Sequence, residues 1–193
     1  MIIGLTGKYC AGKNYVASLL EKKGLPVLDV DKLGYPVLES EKEAIFSMFG
    51  DDLKRADGSL DRRLLGQRVF GKPEELKALE TIIHPPVNKM TNEWIDSRKG
   101  SCVINAALLH RSSAFNKLEK IIIVTAPFLT RFLRARKRDK LTYKEIIERF
   151  KRQKDFNAQY LTLNAEIYRI ENSGFFGSGR LSRSIDKLIK GIN

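Results

Sequence analysis

Apolar positions along the chain fall into two patterns. IIGLT (2–6), PVLD (26–29), SCVINAA (101–107) and KIIIVTA (120–126) are short and largely apolar, and the last two are apolar on every face. Strands covered on both sides by helices read this way. YRIEN (168–172) is a fifth short strand candidate. Between these runs, apolar residues recur three and four apart, the spacing of a helix with one buried stripe. NYVASLLEKKG shows it with Val16, Leu19 and Leu20, and Gly24 is its stop. EKEAIFSMFG, DRRLLGQRVFG and PEELKALETIIH repeat the pattern within 35–95, as do PFLTRFLRARKRD, LTYKEIIERFKRQ and LSRSIDKLIKG further on. FFGSG (175–179) reads as a loop before the last helix. Strands separated by helices predict an α/β fold with a five-stranded parallel sheet between helical layers. The stretch 35–95 is too long for one crossover, so it is expected to form a helical lobe of its own.

Composition narrows the class. The chain has 193 residues, 42% hydrophobic and 30% charged, which suits one globular domain and excludes disorder. KIIIVTAPFL is far short of a bilayer span, so no membrane partner is expected. The N-terminus has no basic region and breaks at Gly4 and Gly7, unlike a signal peptide. Cys10 and Cys102 lack metal-type spacing, and together these features lead us to expect a reducing, cytoplasmic setting. The net charge of +12 is concentrated: residues 131–154 hold 11 Lys/Arg against three acids, a net +8. That run is either a solvated helical face or a local clamp for a polyanion, and a nucleoside triphosphate is as much a polyanion as a nucleic acid.

Residues 7–14, GKYCAGKN, nearly spell the phosphate-loop pattern G-x-x-x-x-G-K-[ST], with Gly7, Gly12 and Lys13 in place. The copy follows a strand and opens a helix, as that chemistry requires. Glycines let the backbone wrap an anion, and the helix N-terminus adds partial positive charge. Cys10, Ala11, Gly12, Lys13, Asn14 and Tyr15 are therefore the expected nucleotide-binding residues, with Lys13 reaching the terminal phosphates; Cys10 itself reads as a small filler. Asn14 stands where the metal-binding hydroxyl is expected. Its carbonyl oxygen is a candidate Mg²⁺ ligand, directly or through water. LDVD (28–31) is expected to end the second strand with Asp29 and Asp31 at the sheet edge shared with the loop. Carboxylates there can orient an acceptor hydroxyl, take its proton, or hold Mg²⁺ through water, and one of the two can equally be a helix N-cap.

In order along nearly the whole chain, IGLTGKYCAGKNYVASLLEKKGLPVLDVDKLG, DGSLDRRLLGQRVFGKPEELKALETIIHP, ALL (107–109), TAPFLTRFLRARKRD, ERFKRQ and IENSG resemble the dephospho-CoA kinase family. The resemblance implies a P-loop NTPase fold of the adenylate-kinase type with a helical substrate lobe and a basic lid. It implies transfer from ATP, with Mg²⁺, to the ribose 3′-hydroxyl of dephospho-CoA, the last step of coenzyme A biosynthesis. By the same resemblance Lys13 and the loop hold the ATP phosphates, Asp31 is the base, and Asp29 supports it or the metal. The lobe 35–95, with Arg63 and His84, holds dephospho-CoA, although a histidine before proline also has a purely structural reading. Residues 131–160 form the lid; Arg134 and Arg138 reach phosphates or adenine, Arg138 acting in catalysis, and Asn172 and Gly174 belong to the adenine loop. The partner is then a small molecule rather than nucleic acid, and the chain a monomer or weak homo-oligomer. Departures from the family pattern cluster at Asn14, Asn105 (often aspartate), Ala107 (often proline) and Arg111 (often glutamate). Two outcomes follow: Mg²⁺ held mainly through phosphates, water and Asp29/Asp31, or a binding relic with weak turnover. Another small-molecule kinase of the same architecture is disfavoured by the DGSLDRR block and the D-x-D pair.

Overall fold

The computed structural model describes residues 1–139, 141–151, 153, 156, 160, 165–173 and 178–191. Five strands form one sheet: β1 (Ile2–Gly7), β2 (Val27–Asp29), β3 (Cys102–Asn105), β4 (Lys120–Thr125) and β5 (Glu166–Glu171). Their order is β2-β3-β1-β4-β5, and every pairing is parallel. The apolar runs therefore became a parallel sheet for the expected reason: each inner strand is covered on both faces. Ile3 and Leu5 of β1 pack with Val16, Ala17 and Leu20 of α1 (Lys13–Lys22) and with Leu181, Ile185 and Leu188 of the last helix, Ser178–Lys190. The opposite face of β1 is so close to its cover that a Cβ on Gly4 would lie 2.5 Å from Leu109 Cδ2. Gly4 thus serves as contact surface where the sequence suggested only a break.

The chain divides into two compact units, Met1–Asp29 with Ile95–Asn193, and Val30–Trp94. The second unit begins with α2 (Val30–Ser40) and α3 (Lys42–Phe49). α4 (Arg62–Val69) and α5 (Pro73–Asp96) follow. Its core is Ile45, Phe46, Phe49, Leu53, Leu60, Leu65 and Val69. Asp61 caps α4 by accepting from the Leu64 N–H at 2.9 Å.

Two local readings change. The strand ends at Asp29, so Asp31 lies in the first turn of α2, where a carboxylate suits the positive end of the helix dipole. Gly34 and Pro36 in that stretch disguise the helix in the sequence. Further on, the pattern PEELKALETIIH continues through Pro85 and Pro86 to Asp96. Each proline removes one backbone donor, a penalty of about 3 kcal/mol in a helix interior. Leu79, Ile82 and Ile83 pack against the core of the unit and hold the helix on the N-terminal side of the pair. His84 therefore sits midway along α5, not at a helix end.

The first unit continues with α6 (Phe128–Asp139), α7 (Tyr143–Lys151) and the C-terminal helix α8 (Ser178–Lys190). Among the described residues, no helix is long and apolar enough to cross a membrane.

Candidate functional site

β1 ends in Gly7, and the chain turns through residues 8–12 into α1. Two residues make that turn in the left-handed region, Cys10 (φ 60°) and Gly12 (φ 90°). For a non-glycine residue this conformation costs about 1–2 kcal/mol, so tertiary contacts must hold Cys10 there. Its side chain is buried with Ala135 and Ile146, edged by Tyr9, Phe132, Leu141 and Phe150. Burial pushes the Cys10 thiol above its usual range, which fits an inert packing group.

The loop is tied from outside by its carbonyls. Ala11 O accepts from Asn172 Nδ2 at 3.0 Å and from Arg134 Nη1 at 3.1 Å, and Arg134 Nη2 donates to Asn172 Oδ1 at 3.2 Å. A Cβ on Gly12 would lie 2.2 Å from Asn172 Nδ2. Two of the loop's N–H groups are also taken, Ala11 N–H donating to Lys8 O at 2.9 Å and Tyr9 N–H to Gln153 Oε1 at 2.7 Å. Gly12, the N-cap of α1, brings no side chain to the first-turn donors, and that turn holds no acid. A helix N-terminus of this kind is built for an external anion. A cavity of about 490 Å³ lined by Cys10, Gly12, Arg134, Lys137 and Arg138 opens at this place.

The basic run is not simply a solvated face. Arg131, Arg134 and Arg138 fall at i, i+3 and i+7 of α6, one side of the helix. Arg131 is buried with its guanidinium 4.1 Å from the Phe150 ring centroid. Arg134 Nη1 donates to the carbonyls of Cys10 and Ala11. Arg138 forms a two-pronged pair with Asp139, Nε to Oδ1 at 2.7 Å and Nη2 to Oδ2 at 2.9 Å. Its guanidinium holds the Asp139 carboxyl down at about 2.

At the other end of the loop, Asn14 Oδ1 accepts from Asn105 Nδ2 at 3.2 Å. The register of β3 sets Asn105 beside Leu5 of β1 and beside Asp29 of β2. Asn105 is 1% exposed, and its Oδ1 is buried with no hydrogen-bond partner among the described residues. The two asparagines that replace a hydroxyl and a carboxylate are thus bonded to each other. Among the described residues, no group of three or more His, Cys, Asp or Glu could hold a metal ion.

Cys10, Ala11, Gly12, Asn14, Arg134 and Asn172 are therefore brought together, with Lys13 as the first residue of α1 and Tyr15 exposed two positions on. Asp29 joins them by strand register. Asp31, Arg63 in the first turn of α4 and half-buried His84 belong to the second unit. Gly174 lies outside the described residues, as do several positions of the expected lid. Asn172 bonds the loop itself. Sequence reasoning missed Tyr9, Asp139 and Gln153. The i, i+3, i+7 spacing was the signal available for the side of α6 that Arg131, Arg134 and Arg138 share, while nothing in the sequence marked Tyr9.

The comparisons agree with this architecture. The family model described as CoaE, dephospho-CoA kinase, matches residues 1–174. A dephospho-CoA kinase of Treponema denticola is 32% identical over 202 residues, covering 98% of this chain and 89% of that protein. The crystal structure of TT1252 from Thermus thermophilus superposes with a TM-score of 0.81 at 30% identity, covering 100% of this chain and 98% of that one. Shikimate kinase from Acinetobacter baumannii shares the fold, with a TM-score of 0.54 at 17% identity over 98% and 93% of the two chains. This chain belongs to the dephospho-CoA kinase family.

Proposed function

We propose that the protein transfers the terminal phosphoryl group of ATP to the ribose 3′-hydroxyl of dephospho-CoA, giving coenzyme A and ADP. The observation that carries the nucleotide half is the loop itself, buttressed by Arg134 and Asn172 and opening onto the start of α1. Phosphoryl transfer asks the protein for positioning and distributed positive charge rather than covalent chemistry. Loop N–H groups and Lys13 would hold the triphosphate. Arg138 would add charge from α6, and lid residues would exclude water around the transfer. Asp31 would accept the proton of the attacking hydroxyl. Arg63 and His84, in the same unit as Asp31, are the residues assigned to dephospho-CoA.

Mg²⁺, when bound, would neutralise charge developing on the phosphate oxygens. The residues at the sheet edge fit a hydrated ion. Asn105 Oδ1 is a buried acceptor in need of a donor, Asn14 Oδ1 keeps one lone pair, and Asp29 is adjacent by register. Magnesium retains water readily, so these oxygens would hold it through its hydration shell.

The deciding experiment is ADP release by purified protein with ATP, Mg²⁺ and dephospho-CoA, set against AMP and adenosine as acceptors. Turnover confined to dephospho-CoA is expected. ATP binding with no turnover on any of them would sink the proposal in favour of a binding relic. Asn14→Ser probes the metal side. Restoring the hydroxyl should reduce the Mg²⁺ needed for half-maximal rate by about tenfold, the scale seen when a metal's supporting hydrogen bonds change. The same substitution leaves the buried Asn105 amide without its partner, so the Tm should drop by about 4 °C. An unchanged Mg²⁺ requirement would show that position 14 does not serve the metal.

A further inference from the structure

Tyr9 is the third residue of the phosphate loop, and it is gripped by the helices that follow β4. Its hydroxyl donates to Asp139 Oδ2 and accepts from Arg149 Nη1 at 3.3 Å. Its backbone N–H donates to Gln153 Oε1 at 2.7 Å. The guanidinium groups of Arg138 and Arg149 lie 5.3 and 5.4 Å from the ring centroid, and Phe150 meets the ring edge-on at 6.0 Å. Cation–π geometry of this kind adds to the hydrogen bonds. Burial, and next the bond to Asp139, push the Tyr9 phenol above its usual value, so the hydroxyl keeps its proton at neutral pH.

Asp139 is the shared member. It holds Arg138 through two bonds, takes the Tyr9 hydroxyl, and lies 3.8 Å from Arg149. Two of the five Arg138 N–H groups are committed to Asp139, and turning the whole guanidinium fork to a triphosphate releases them. A carboxylate stripped of that partner keeps two others, the Tyr9 hydroxyl and Arg149. The exchange therefore trades one ion pair for another without stranding a charge.

We infer that Tyr9 is a positioning residue: it docks α6 and α7 on the phosphate loop and retains Asp139 when Arg138 turns to a nucleoside triphosphate. The inference rests on the kinase reading above only for the use of Arg138. In Tyr9→Phe the ring and its contacts remain and the hydroxyl goes. Release of Arg138 then leaves Asp139 with Arg149 alone, so triphosphate binding must supply more.

The test measures binding and exchange, neither of which needs turnover. Calorimetry with a non-hydrolysable ATP analogue should show the Kd of Tyr9→Phe raised about tenfold, the scale of a hydrogen bond to a charged group. Amide hydrogen exchange over Tyr143–Lys151 in the free protein should speed up by a similar factor, about tenfold. The KM for dephospho-CoA and kcat at saturating ATP should stay within about threefold, a split that general loosening of the fold would not produce. Asp139→Asn removes the same coupling from the other side. The double variant should be no weaker than the weaker single one. Unchanged analogue affinity and α7 exchange in Tyr9→Phe would overturn the inference, as would additive effects in the cycle. A protein that passes these tests yet transfers no phosphate to dephospho-CoA would sink the kinase reading and leave the docking role of Tyr9 standing.

Discussion

Asp31→Asn is expected to lower kcat by about 10²–10⁴-fold, the contribution of a positioned general base, with ATP affinity within about twofold of the parent. The substitution separates two roles that the sequence left entangled. Asparagine keeps the shape of the side chain and caps helices about as well as aspartate. Asp31 lies in the first turn of α2, where losing its charge removes about 0.3–1 kcal/mol of favourable interaction with the helix dipole. Fold stability should therefore barely move while chemistry collapses. Steady-state kinetics beside a thermal melt reads both. A kcat within threefold of the parent would remove Asp31 from the proton-transfer role and leave it as a helix-start residue.

The second large effect belongs to Gly12→Ala. The backbone there has φ 90°, which an alanine adopts at a cost of about 1–2 kcal/mol. The added Cβ would also stand 2.2 Å from Asn172 Nδ2, whose amide is bonded to Ala11 O. Asn172 is 6% exposed, so it cannot retreat into solvent. Displacing it breaks a buried hydrogen bond and takes the Arg134 contact with it, a further loss of about 1–3 kcal/mol. Both losses fall on the residues that shape the anion site. We expect ATP binding to weaken by at least about a hundredfold, and the Tm to fall by several degrees, at about 2–4 °C for each kcal/mol. Calorimetric titration with ATP measures the first. Affinity within threefold of the parent would mean that the loop tolerates a side chain and that Asn172 is not its support.

Much of the architecture could be read from the chain because β1, β3 and β4 are apolar on both faces and α1 follows a glycine loop. Such strands have few alternatives to a covered parallel sheet. Two elements were hidden by their own residues. Gly34 and Pro36 mask α2, and the Pro85–Pro86 pair masks the second half of α5; in each case tertiary packing outweighs local propensity. The turn from β1 into α1 was legible from motif spacing, with Gly7 ending the strand, Gly12 as N-cap and Lys13 opening the helix. The site was not legible where it depends on which partner each of many similar side chains takes. Eleven basic residues crowd 131–154, and the sequence cannot assign Arg134 to the loop carbonyls or Arg138 to Asp139. Tyr9 was invisible for the same reason, since its partners lie at 138–139 and 149–153 and meet it only in the folded chain.

The bonds from Arg134 and Asn172 to the loop also bear on how relatives of this protein should be compared. Those side chains hold the polypeptide in shape before any nucleotide arrives, so losing them penalises folding as well as binding. Selection for a stable, abundant protein would preserve both residues in a lineage that had abandoned phosphoryl transfer. Their persistence therefore reports on the upkeep of the loop, and active lineages must be told from retired ones by other positions.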